Sequence, residues 1–521
     1  MDIKIFKWIF VEIKFLTLLA LPTSIICLTE GFQMKLSNIF IGRKSGEDVS
    51  TELSALFLGQ MTITVTAYPI LEGLSVCVSI ICSQAYGANQ PKLVALYYYR
   101  VLFVAILICF PLFSLLISVC PIVYLYTHNL KLSIGAGSYT TIFCCGFPAY
   151  AYYKISVCFL QSHNIVWSSL IYLILGNISN GILQYMFIFH YNQGIAGAAA
   201  AYVISLYIIA LLIFTHIRLS RQNLPSMEFS IDLISDWSHT AKYAIPASLQ
   251  TFFGTLVSNI FPVFLLLWVS YDQNQLAIYS IMYSLWFMFS LFTMGFSRAL
   301  TIRVGQLLGA NNTARGKRSA IFGIAFGETV IFFLSIFIIV CNHPFSRLFT
   351  TDKSFVEELY FNLLLLPFII LSDIILLGQG VMNACDMQQT QAILKFFFMV
   401  LLGFILEFLL INVFAWKALL IFSIQGLFRL LCFVCSMVIL FCRDWDTFTL
   451  KIKERTQSTD NFLQPQFFEK ISVSHLSSQE SNVGKFQRFS NSKLIIVSKY
   501  VFCLLLGVSI FVAVNLSALL F

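Results

Sequence analysis

Long apolar runs, broken by short polar punctuation, make up most of the chain. Twelve of them reach the roughly 20 mostly apolar residues that a helix needs to cross a hydrocarbon core: 15–40, 53–82, 100–127, 137–160, 165–190, 195–217, 240–270, 275–300, 319–341, 355–383, 389–414 and 417–442. Another, at 494–518, follows a polar gap at 443–493. Segments of this length predict helices, because in lipid each backbone polar group must be satisfied within its own segment or in a closed barrel. The pattern predicts an all-α polytopic membrane protein with twelve transmembrane helices and a C-terminal thirteenth.

Composition sharpens that picture. Of the 521 residues, 59% are hydrophobic and 11% charged, with a mean hydropathy of +0.85. A soluble domain carries about 25% charged residues, so this chain cannot coat itself for water and must face lipid. The net charge of +8 does not mark a nucleic-acid partner, since the basic residues fall between apolar runs. With the N-terminus in the cytosol, the inner connections hold Lys92, Arg100, Arg218, Arg221, Lys242, Arg303, Arg315, Lys317 and Arg318. The outer ones hold Arg43, Lys44, Lys131, Arg347, Lys353 and Lys417. This bias follows the positive-inside rule, and it places the C-terminus outside if the thirteenth helix spans. Residues 1–14, with Lys4, Lys7 and Lys14 and no small-residue cleavage site, read as a retained cytosolic leader. The 443–493 gap, rich in Ser, Gln and both charge signs, reads as a partly disordered cytosolic linker before a helix in 494–521. The 14 cysteines are scattered through apolar runs and read as small core residues.

An internal repeat organises the spans. Pro22 and Pro246 follow similar strings and lie 224 residues apart; Ser-Gln84-Ala-Tyr-Gly87-Ala-Asn and Gly-Gln306-Leu-Leu-Gly309-Ala-Asn lie 222 apart. The turn at His163-Asn164 has a counterpart at Asp386-Met387, and Pro148 has one at Pro367. Six helices per half is an even number, so both halves enter from the same side as parallel repeats. The lobes are then 15–235, including a cytosolic inter-lobe loop, and 236–442. Two such lobes enclose a midplane cavity.

Four strings carry a family resemblance: Cys-Ser-Gln-Ala-Tyr-Gly-Ala-Asn-Gln-Pro-Lys at 82–92, Leu-Gln-Ser-His-Asn-Ile-Val-Trp at 160–167, Leu-Gly-Asn-Ile-Ser-Asn-Gly at 175–181 and Ile-Arg-Val-Gly-Gln-Leu-Leu-Gly-Ala-Asn-Asn at 302–312. In order and spacing they resemble the multidrug and toxic compound extrusion (MATE) transporters over about 15–442, and the thirteenth helix resembles the animal branch. The resemblance implies a plasma-membrane antiporter exporting organic cations, drugs and xenobiotics in exchange for H⁺ or Na⁺, with no cofactor. It also implies coupling carboxylates, which here fall on Ser79, Gly254, Asn259, Ser284 and Ser372. All are absent as aligned, although Asp373 adjoins Ser372.

Ionisable residues at membrane depth are costly, and that cost points to function. The acidic candidates are Asp373, Glu72 and Glu30, with Glu328 and Glu407 behind them. Glu72 shares a helical face with Ser79, seven residues on. Lys35 is too far round the first helix to pair easily with Glu30. Seen this way, the midplane charges are chiefly acidic, suited to proton uptake and to holding a cation. Asn177 and Asn180 share one helical face and either line the cavity or bond helix to helix. Asn259 occupies one of the coupling positions, and Tyr283, with Tyr243, Tyr279 and Trp286, could stack on a cation. Gln84, Gly87, Gln306 and Gly309 read as structural helix ends.

The leading expectation is a secondary antiporter for small organic cations that rocks two lobes in a lipid bilayer and binds no nucleic acid. The oligomeric state is not set by the sequence, and a single chain is compatible with it. Alternatives are a non-transporting or regulatory relative, motivated by the missing carboxylates, and a lipid-linked precursor flippase, which would need a more cationic cavity. No metal triad, nucleophile constellation or phosphate loop suggests an enzyme.

Overall fold

The structure is a computed structural model that describes residues 3–44, 49–220, 237–266, 273–349, 353–411, 413 and 417–469. Within these residues every regular element is helical. The first lobe comprises α1 (Ile3–Gly42), α2 (Val49–Gly87), α3 (Pro91–Ile117, extended by Val119–Thr127), α4 (Leu130–Cys144 with Phe147–Ser162), α5 (Trp167–Tyr185, ending in a π turn at Met186–His190) and α6 (Gly194–Leu219). The second comprises α7 (Trp237–Thr255, continued by Leu256–Ile260 and Phe261–Phe264), α8 (Gln273–Gly309) and α9 (Thr313–Phe349). It is completed by α10 (Lys353–Leu363, Leu366–Ser372 and Ile374–Ala384), α11 (Gln388–Lys395, Phe396–Gly403 and Phe404–Leu410) and α12 (Lys417–Cys442). A last helix, α13, spans Trp445–Glu469.

Each of the twelve expected spans coincides with one of α1–α12. Ten described helices are long and apolar enough to cross a membrane, and the bent pair forming α4 makes up to eleven. The remaining span, α7, is the segmented one at 240–270. The chain is a multi-pass membrane protein.

The repeat is visible in the backbone. Asn89 and Asn311 both adopt φ of 58°, and Asn164 and Asp386 adopt φ of 63° and 58°. Asparagine and aspartate tolerate this left-handed region because their short polar side chains bond locally. Pro148 and Pro367 each sit in the first turn after a helix break, where a missing N–H costs nothing. Their two breaks bend α4 by 55° and segment α10 at the same place in each lobe.

The lobes meet along α1 with α8 and α2 with α7, again in matching pairs. Gly295 presses against the backbone of Ser24, and Gly73 against that of Ser248. The Ser24 hydroxyl donates to Phe292 O at 2.8 Å and that of Ser248 to Ile70 O at 3.4 Å. Only a residue without Cβ permits backbones this close, so the two glycines fix the seam.

Two stretches outside the twelve spans are helical. Residues 3–14 are helical and continuous with the first span, since α1 begins at Ile3 and runs unbroken to Gly42. The 443–493 gap does not begin as a loose linker. Its first half is α13, which buries Trp445, Phe448 and Ile452 against the bundle. An apolar stripe among charged residues gives this helix one face to dock. The thirteenth span at 494–518 and the loop at 221–236 lie outside the described residues.

Candidate functional site

A cavity of about 530 Å³ opens between the lobes, and a second of about 190 Å³ continues it toward the midplane. Tyr68, Thr255, Ser258, Asn259, Tyr283 and Phe287 line both, so the two are one tapering chamber. Its wide part is aromatic, with Phe147, Tyr150 and Tyr279 among the rings. Below the narrow part the lobes close. The Gln84 amide donates to Ala384 O at 2.9 Å and Asp386 Oδ1 at 3.1 Å. Its repeat partner Gln306 donates to Ser162 O at 2.9 Å and Asn164 Oδ1 at 3.2 Å. Each lobe's helix end therefore caps the other lobe's turn. Gly87 and Gly309 make room, since a Cβ on either would strike the backbone of Gln306 or Gln84. Bidentate bonds of 2.9 Å from Arg303 to Glu12 and contacts from Arg455 on α13 to Asp386, Tyr243 and Gln84 reinforce this closed end.

The chamber wall carries two charge clusters. In the first, Lys154 on α4 reaches Glu30 at 2.6 Å and Glu72 at 3.1 Å. Arg298 crosses from α8 of the other lobe to bond Glu72 and to lie 3.9 Å from Glu30. All four side chains are at most 9% exposed. The two acids and two bases cancel, which is how buried charges are tolerated. The cluster explains why Glu30 and Lys35 do not pair: Glu30 is already committed to Lys154.

In the second cluster Asp373 sits at the break inside α10. It accepts from Trp286 Nε1 at 3.0 Å and from Arg429 at 3.3 Å. The Arg429 guanidinium stacks over the Trp286 ring at 4.2 Å and approaches Ser258 Oγ at 3.4 Å. Trp286 thus covers a cation of the protein itself. Lys395 stands nearby on α11, with its ammonium on Gln379 Oε1 at 2.7 Å.

Of the sequence candidates, Glu30, Glu72, Asp373, Asn259 and Tyr283 line the chamber, and Glu30 and Glu72 share one lysine. Asn177 and Asn180 do not line it. Their amides donate to Thr29 O and Gln33 O at 3.1 and 3.2 Å and tie α5 to α1, the arrangement of the helix-to-helix alternative. Glu328 faces a shallow outer groove, and Glu407 is buried behind the wall. Tyr243 belongs to the closed end.

The expectation of a chiefly acidic midplane is corrected. The lining acids are Glu30, Glu72 and Asp373, against the bases Lys35, Lys154, Arg298, Lys395 and Arg429. Lys154, Arg298, Lys395 and Arg429 lie inside the apolar spans, where a tally of the connections misses them. A search for Lys and Arg inside the apolar spans would have found all of them.

Two six-helix lobes related by an internal repeat, around a midplane chamber closed at one end, define a membrane transporter architecture. The MatE family model matches residues 14–186 and 246–409, once in each half. The chain belongs to the MatE family of multidrug and toxin extrusion transporters. It is 29% identical to multidrug and toxin extrusion protein 1 of Danio rerio over 62% of this chain and 54% of the relative. To the Homo sapiens protein of that name it is 27% identical over 66% of this chain and 60% of the relative. The match thus spans less than two thirds of either relative's length. Among solved structures it resembles the eukaryotic MATE transporter AtDTX14, with a TM-score of 0.79 at 18% identity, over 86% of this chain and 99% of that one. A Pyrococcus furiosus MOP-superfamily transporter, titled for the reverse polarity of its binding pocket, has a TM-score of 0.72 at 14% identity. It is matched over 85% of this chain and 96% of its own.

Proposed function

We propose that the chain is a secondary active antiporter that exports amphiphilic organic solutes in exchange for H⁺ or Na⁺, rocking its two lobes around the midplane chamber. The observation that carries this reading is the chamber's asymmetry, with a wide aromatic mouth at one end and pseudo-symmetric cross-lobe capping at the other. By the positive-inside rule the capped end is cytosolic, so this is the outward-facing state.

The Glu30–Lys154–Glu72–Arg298 cluster supports coupling. Three of its members belong to one lobe and Arg298 to the other, so opening the capped end must stretch or break the arginine's bonds. A carboxylate released from Arg298 then needs another cation, and H⁺ or Na⁺ meets that need. The aligned family carboxylates are replaced by Ser79, Gly254, Asn259, Ser284 and Ser372, so coupling rests on Glu72 and Glu30 instead. Aromatic walls suit an apolar or aromatic solute body. Organic cations, implied by the resemblance, would find rings here, but each lining carboxylate already holds a cation of the protein.

Uptake into inside-out vesicles holding the purified protein tests the proposal. Fluorescent amphiphiles of either charge are offered under an imposed proton or sodium gradient, which is then collapsed. Gradient-driven uptake that fails in Glu72→Gln is the expected result. No movement of any probe by folded protein under either gradient refutes it and favours a non-transporting relative.

A further inference from the structure

The narrow part of the chamber contains cations in excess. Glu72 is matched by Arg298 and Lys154, and Asp373 by Arg429. Lys395 is left over. It is only 6% exposed, it lines the cavity, and no described carboxylate lies within ion-pair distance of it. An amide oxygen, Gln379 Oε1, is its hydrogen-bond partner. A buried ammonium without a counter-charge is costly, and native proteins pair such groups.

Other groups in the same cavity point the same way. The amide nitrogen of Gln250, a residue only 1% exposed, is buried without a hydrogen-bond acceptor. Gly254 leaves a gap: a Cβ built there would meet nothing within 4 Å except the Lys395 ammonium, at 4.0 Å. Higher in the chamber Lys35 likewise lines the wall with no described carboxylate in pairing range. The cavity therefore combines an ammonium without a counter-charge, an unpaired amide donor, an open space and, above it, a ring-lined vestibule.

We propose that this pocket binds an oxyanion borne on an apolar body, with Lys395 and Arg429 holding its carboxylate, sulfonate or phosphate and the aromatic vestibule holding the rest. The bound anion supplies the charge that Lys395 lacks. Arg429 is presented flat by Trp286, so Nη1 stays on Asp373 while Nη2 exchanges its long 3.4 Å contact with Ser258 Oγ for the ligand. The substrate of the antiporter proposed above is then an organic anion. The inference rests on that reading only for movement, because binding stands on the pocket alone. The same chemistry could come from a free solute or from an isoprenoid phosphate drawn from the bilayer.

The test is calorimetric titration of the full chain in lipid nanodiscs with three probes: naphthalene-1-sulfonate, farnesyl diphosphate and tetraethylammonium. The wild type is expected to bind at least one anion. Lys395→Gln should weaken it about tenfold to a hundredfold, as loss of a charge-assisted bond does, and Lys395→Arg should retain it. Gly254→Asp, which places a carboxylate beside the ammonium, should abolish anion binding without removing any group of the wall. Dependence on Lys395 for the sulfonate assigns a free solute, and for the diphosphate alone a bilayer source. Anion affinity unchanged by Lys395→Gln and Gly254→Asp, or binding of tetraethylammonium only, overturns the proposal. Proteoliposome flux separates the two readings. Anion bound through Lys395 but never moved removes the transporter and leaves the site, whereas tetraethylammonium moved without anion binding does the reverse.

Discussion

Removing Arg298 is the sharpest perturbation of the lobe interface, because its charge crosses the seam. In Arg298→Met the alkyl stem is largely kept and the guanidinium lost. Glu30 and Glu72 then share Lys154 alone, at 2.6 and 3.1 Å, and one buried negative charge is left without a partner. Stranding one member of a buried pair costs about 3–5 kcal/mol. Adding Glu72→Gln restores neutrality around the remaining Glu30–Lys154 pair, and replacing both members of a buried pair is often close to neutral. The double variant should therefore be more stable than Arg298→Met by about 2–3 kcal/mol, because no charge is left stranded. Thermal and denaturant unfolding of the purified protein in one fixed detergent, closed as a double-mutant cycle, measures the coupling. Hydrogen exchange at 84–90 and 384–387 should report looser capping in the single variant. A loss below about 1 kcal/mol in Arg298→Met, or a double variant no better than the sum of the singles, would refute the claim that this arginine neutralises the opposite lobe.

Two further predictions concern packing at other places. Arg455→Ala removes contacts to Asp386, Tyr243 and Gln84 from one guanidinium that ties α13 to both lobes. The change should speed exchange at the capped end by about tenfold or more, the equivalent of one charge-assisted bond, and leave the Lys395 pocket's affinity unchanged. Asn177→Ala should lower stability by about 0.5–1.5 kcal/mol, the range for hydrogen bonds between membrane helices, with uptake kinetics preserved. A changed KM at wild-type stability would return that asparagine to the chamber.

Most of the helical frame was legible in the sequence, because apolar length and the missing water of the bilayer leave a helix few alternatives. The repeat was legible too, since turns at Asn89, Asn164, Asn311 and Asp386 demand residues that tolerate positive φ. Their cross-lobe partners were not. That Gln84 caps Asp386 and Gln306 caps Asn164 depends on a long-range docking that no local pattern encodes. The same limit applies to α13. Its composition resembles a solvated linker, and only a docked surface reveals Trp445, Phe448 and Ile452 as one buried face. The side assigned to Asn177 and Asn180 was open for a simple reason. A polar pair on one helical face serves a cavity and a neighbouring helix equally well, and only the position of α1 decides.

The charge pattern of the chamber is in keeping with serine, glycine and asparagine at the positions where the resemblance implies carboxylates. With Gly254 in the gap beside Lys395, no acid competes for that ammonium, and with Ser79 below Glu72 the first-lobe cluster stays at two acids and two bases. A carboxylate at Gly254 would cancel the surplus cation, and one at Ser79 would leave the cluster with an acid too many. The departures from the family pattern and the basic residues within the spans are thus two parts of one arrangement. On the proposed reading, a neutral cluster that straddles the lobes would carry coupling, while recognition would fall to a cation that no acid of the wall satisfies. These functions separate in space, since Arg298 serves the first and Lys395 the second. A variant that disables one should therefore leave the other measurable: Lys395→Gln should weaken anion binding yet keep the unfolding profile of the wild type, and Arg298→Met should lower stability yet keep anion binding.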